Sequence, residues 1–116
     1  MNKILLSILS FVIICNLTFA QYQIAIGEYD IDNKTIEILL ENEEAIGGFQ
    51  FQLTGITLTG AYGGVSEDAG FSVNTSEIGV VLGFSFTGAT IPSGLSTLTN
   101  ITFDSINNNI NKINAI

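Results

Sequence analysis

An all-β fold, an antiparallel β-sandwich, is what this sequence predicts, and three observations predict it. Apolar residues recur with period two rather than 3.6. β-Branched and aromatic residues fill the alternating runs. Clusters of Gly, Asn, Asp and Ser separate those runs, with twelve glycines and one proline in 116 residues. A chain of this length has material for one small domain with one core, not two.

The runs follow in order. "YQIAIGEY" (22–29) alternates around Ile24 and Ile26, and "KTIEILLEN" (34–42) sets Ile36, Ile38 and Leu40 on one side. "GGFQFQLT" (47–54) places Phe49, Phe51 and Leu53 opposite Gln50, Gln52 and Thr54. "GITLTGAY" (55–62) carries Ile56 and Leu58, and "FSVNT" (71–75) is short. "IGVVLGFSFTG" (78–88) has Val80, Leu82, Phe84 and Phe86 in step, opposite Val81, Gly83, Ser85 and Thr87. "STLTNITF" (96–103) brings Thr99, Ile101 and Phe103 into step. The core expected from this alternation is Ile24, Ile26, Ile36, Ile38, Phe49, Phe51, Leu53, Leu82, Phe84, Phe86, Ile101 and Phe103. Helix signals are nearly absent. The one candidate, "EILLENEEAI" (37–46), has an incomplete helical face and meets Gly47-Gly48, so it reads as a strand end entering an acidic turn. The tail "DSINNNINKINAI" (104–116) is rich in asparagine and reads as a ragged last strand or a disordered end.

The first twenty residues read as a secretory signal peptide. Lys3 precedes an apolar run from Ile4 to Ile14, and Thr18-Phe19-Ala20 puts small residues at −3 and −1 of a cut before Gln21. The run is shorter than the roughly 20 residues a bilayer span requires. The chain's single cysteine, Cys15, lies inside this segment after Ile14, where a lipoprotein anchor would need a small residue. The exported product would therefore have neither a disulfide nor a thiolate metal site. These features point to a secreted, extracellular or cell-surface product with no membrane insertion after cleavage, and export without disulfides suits a bacterial setting.

The net charge is −8, with eleven acids and no histidine. Past the leader only Lys34 and Lys112 remain as bases. Neutralising nucleic-acid phosphates or docking on anionic lipid needs basic clusters that this chain lacks, so both partners are excluded. Without histidine or an exported cysteine, nearly every nucleophile–base pair disappears, leaving only carboxylate pairs. A glycosidase could use two carboxylates, but it also needs a deep cleft, which a short-looped sandwich does not build. The expectation is a non-enzyme without cofactors. No GxGxxG lies between a strand and a helix, and no GKS or GKT occurs, so a phosphate loop is absent.

Two weaker motifs remain. Asp30-Ile31-Asp32-Asn33, followed by Glu37, superficially resembles a calcium loop, but the third ligand and the glycine at position six are missing. A polar turn is the preferred reading, with a surface calcium site at Asp30 and Asp32 as the alternative. Tyr62, between Gly60 and Gly63-Gly64, is the one tyrosine expected on a loop, where it could stack on a sugar.

The order of segments resembles that of the cohesin-like domains of secreted multidomain proteins. The shared pattern is the GFQF strand, a GF turn-strand, VLGFSFTG, Ile-Pro-x-Gly and an L-T-N-I-T-F strand, covering about residues 45–104 and more loosely from 22. The resemblance implies a jelly-roll-like sandwich of seven to nine strands at 21–104, with 105–116 as its tail. It also implies attachment to a dockerin-like protein through an exposed sheet. By position, that face would comprise Gln50, Gln52, Thr54, Ser85 and Thr87, with Gly83 allowing close approach. This sequence departs from such domains in having only thirteen residues after "STLTNITF", where about two further strands are usual. The expected function is protein–protein attachment. The alternatives are a carbohydrate-binding module that takes a polysaccharide and a structural fragment of a larger adhesin.

Overall fold

The computed structural model describes residues 22–106 and 113–115. The leader at 1–20, its cut before Gln21, and tail residues 107–112 and 116 lie outside the described residues. The strands are β1 (Tyr22–Asp30), β2 (Thr35–Asn42), β3 (Gly48–Leu53), β4 (Ile56–Tyr62), β5 (Ser72–Thr75), β6 (Val80–Phe84), β7 (Gly94–Ile106) and β8 (Ile113–Ala115). A short helix, α1 (Gly64–Asp68), follows β4. The strands form two four-stranded antiparallel sheets, ordered β1-β2-β7-β4 and β5-β6-β3-β8. The molecule is an antiparallel β-sandwich.

Turn chemistry sets the hairpins. Between β1 and β2, Asp30 accepts the backbone N–H of Asn33 at 3.1 Å and its side-chain amide at 2.7 Å. Lys34 closes that turn with φ 59°. Between β5 and β6, the Gly79 N–H donates to the Ser76 carbonyl, and Ser76 N–H donates to Val80. Gly79 sits there at φ 91°, directly under the Leu53 carbonyl, where a Cβ would collide. That is a type I turn followed by a left-handed glycine, a hairpin geometry that only glycine adopts cheaply.

The core lies between the sheets. Ile24, Ile26, Ile36, Ile38, Leu40, Phe49, Phe51, Leu53, Ile101 and Phe103 are all buried. Phe71 joins them, stacked 6.2 Å from Phe49, which in turn lies 6.0 Å from Phe51. On β7 the register with β2 slips between Ile38 and Leu39, which pair with Thr99 and Thr97. The bulge leaves Leu98 without a partner and turns both Leu98 and Thr99 inward. The sandwich also continues beyond residue 104: β7 runs to Ile106, and β8 pairs with the outer edge of β3. The tail thus supplies a strand, although its expected start as a separate segment falls inside β7.

Helix α1 has no counterpart in the sequence reading. Its five residues are too few to display a 3.6-residue period. It is held by local bonds: the Glu67 carboxylate accepts the Gly63 N–H at 2.8 Å. Gly64 lies against the Leu98 carbonyl, where any Cβ would clash.

Candidate functional site

Strand β6 is inverted relative to the sequence expectation. Leu82, Phe84 and Phe86 do not join the core: Leu82 is 41% and Phe86 83% exposed, and Phe84 is half-buried, whereas Val81 is fully buried. Pairing with β3 decides this. Residues directly opposite in an antiparallel pair point to the same face, and Phe49 opposes Gly83 while Phe51 opposes Val81. With both phenylalanines inward, Gly83 and Val81 must face inward as well. The fit is one of volume. A Cβ at Gly83 would lie 2.2 Å from the Phe49 ring, so the ring occupies the space a side chain would need. Gly83 therefore serves the core and does not, as expected, give a partner close approach on the outside.

The outer face of this sheet is consequently apolar along its middle. Val80, Leu82 and Phe84 project from β6. Ile78, 71% exposed, stands in the turn before the strand, and Phe86 stands in the loop after it. Phe84 and Phe86 meet edge to face, with ring centroids 4.8 Å apart at 70°. The neighbours are low and polar. Phe84 is paired with Gly48 and Ser72, Leu82 with Gln50 and Asn74, and Val80 with Gln52. Since Gly48 has no side chain and Ser72 a short one, nothing beside it on the sheet stands over Phe84.

The other expected contact residues divide by role. Gln50 and Gln52 lie on this face, half-buried beside the apolar row. Gln52 Nε2 donates to the Ile78 carbonyl at 3.0 Å and so braces the turn at one end. Thr54 lies just past the end of β3. Ser85 and Thr87 are not sheet residues: they lie in the loop after β6, where Ser85 Oγ accepts the N–H groups of Thr87 at 3.0 Å and Ala89 at 2.9 Å. Their hydroxyls also meet at 3.1 Å. That network folds the loop presenting Phe86.

The remaining candidates sit elsewhere. Both oxygens of Asp30 are engaged by Asn33, and those hydrogen bonds, the backbone N–H first, hold its carboxyl below the ordinary 3.8. Glu37 does not join it, accepting instead from Glu28 N–H and the Thr97 hydroxyl. Among the described residues, no three acidic, histidine or cysteine side chains gather to hold a metal ion. Tyr62 is 51% exposed at the end of β4, on the opposite sheet.

Compared with protein-family models, curated proteins and solved structures, the chain matches none of them.

Proposed function

We propose that this chain is a secreted, non-catalytic attachment module, resembling a cohesin, that binds a partner protein through the outer face of the β5-β6-β3-β8 sheet. The observation behind this reading is the exposed apolar row on β6. Monomeric proteins seldom leave a contiguous apolar strip uncovered, and one rimmed by polar side chains has the anatomy of a protein interface. The strand is flanked on both sides by paired neighbours, so its backbone offers no free edge and recognition falls to side chains. A dockerin-like protein is the partner class that the sequence resemblance implies.

A polysaccharide is the weaker occupant. Sugar rings stack on aromatic faces lying flat and roughly coplanar, whereas Phe84 and Phe86 stand at 70° to each other. Tyr62 projects from the other sheet and cannot extend that surface.

The test is co-purification with the proteins of the producing cell's secreted fraction, comparing wild type with Leu82→Gln. Loss of a specific partner in the variant, with circular dichroism unchanged, is the expected result. A partner retained equally by both proteins would refute this face as the site. Retention on insoluble polysaccharide that Tyr62→Ala abolishes would favour the carbohydrate reading.

A further inference from the structure

Charge is sorted between the two sheets. None of the eleven acids lies in β3, β5, β6 or β8. Glu28, Asp30, Glu37, Glu41 and Asp104 belong to strands of the other sheet, and the rest to turns, a loop and α1. A net charge of −8 makes two copies of this chain repel. The one sheet whose strands carry no charge is also the one with the exposed apolar row.

That row is self-complementary. Val80, Leu82 and Phe84 recur at every second residue, about 7 Å apart along the strand, with Leu82 at the centre. Consider a two-fold axis through Leu82, lying between two facing sheets and running across their strands. It reverses β6 and keeps β3 over β3 and β5 over β5. Leu82 then faces its own copy, and Val80 of each chain faces Phe84 of the other. Gln50 and Asn74 pair with Leu82 from either side, so they lie along the axis and each opposes itself. An amide both donates and accepts, so two copies of one can satisfy each other. Gly48 and Ser72 stand low beside Phe84 and leave room for the facing row. Glu77 sets the direction. It is exposed in the turn at the Ile78 end, so a parallel arrangement would set two carboxylates side by side, whereas the antiparallel one separates them by the length of the row.

We infer that a second copy of this chain docks on the face, forming an isologous two-fold dimer with β6 antiparallel to β6 and Leu82 on the axis. Facing sheets align within about 30° of each other, so the contact centres on Leu82 and thins toward the ends. Burial of Val80, Leu82 and Phe84 supplies the affinity. One strand's row with its borders is a small interface, so the dissociation constant is on the order of 0.1 mM and dilute protein is monomeric. The inference goes beyond the attachment reading: a partner protein and a second copy cover the same row, so each excludes the other.

Sedimentation equilibrium of the purified protein tests this, over concentrations from about a tenth of that constant to about ten times it. The wild-type mass should climb from one chain to two and stop there. Adding salt to about 0.5 M screens the repulsion between the acidic chains, so the dimer should tighten several-fold. Leu82→Gln and Phe86→Ser should each stay largely monomeric throughout, with circular dichroism unchanged. The axis has its own test, because residue 82 opposes itself. Leu82→Lys and Leu82→Glu should each be monomeric alone and should pair one to one when mixed, and that mixed dimer should weaken in salt. A wild-type chain that remains monomeric at every concentration would overturn the inference while leaving partner capture by this face to its own experiment. A dimer that survives both Leu82→Gln and Phe86→Ser would place self-association elsewhere, and a Lys–Glu mixture that stays monomeric would overturn the axis at Leu82.

Discussion

Gly83 shows how one residue decides which side of a strand is inside. Its lack of a Cβ makes room for the Phe49 ring, and the ring in turn requires Val81 to be the inward residue next along. Gly83→Val should therefore destabilise the fold by about 1–3 kcal/mol, the usual cost of overpacking. Gly47→Ala provides the control: a Cβ there meets nothing within 4 Å, so urea denaturation should give an unchanged midpoint. Phe51, fully buried, should cost about 3–5 kcal/mol when cut to alanine. Asp30 adds a pH signature. Its pKa is lowered in the folded state, so its contribution is complete above the ordinary 3.8 and fades as the pH falls through the lowered value. Thermal melts of wild type and Asp30→Ala should accordingly differ at neutral pH and converge in strong acid.

At the scale of elements, β6 and β8 carry the expectations that separate folding from function. Phe86→Ser and Leu82→Gln remove apolar surface that is already exposed, so melting temperature should hold while binding falls. A loss of several degrees in either would mean the row packs inside. β8 pairs with β3 along Phe51, Gln52 and Leu53. Deleting residues 107–116 would strip that edge, and unpaired strand edges recruit other chains. Size-exclusion chromatography of the shortened protein should show self-association, and a clean monomer would show that β8 is dispensable. The strands from β2 to β5 were legible because their alternation sets apolar against polar residues. In β6 both sides are apolar or small, Val80, Leu82 and Phe84 against Val81 and Gly83. Period two then gives the strand without giving its inward face. Helix α1 escaped for a different reason, its single turn being shorter than the period that would reveal it.

Across the whole molecule, the candidate site is a product of sheet pairing. The glutamines expected on the outer face are there, but the residues that dominate it came from the list expected in the core. Ser85 and Thr87, expected as contacts, fold the loop that carries Phe86. Among the described residues, Glu77 is the acid that adjoins the row in sequence, and the one base, Lys34, lies 4.0 Å from Asp104 on the other sheet.

Local chemistry was enough to place the strand runs and the turn at Asp30, and composition leaves no histidine in the chain and no cysteine past Cys15. Those properties depend on near neighbours in the chain, on alternation, φ preference and side-chain type. Which face of β6 meets the core depends on Phe49, more than thirty positions away in sequence, competing for one volume beside Gly83. Only the assembled sandwich resolves that competition, and its outcome puts an apolar row on the surface.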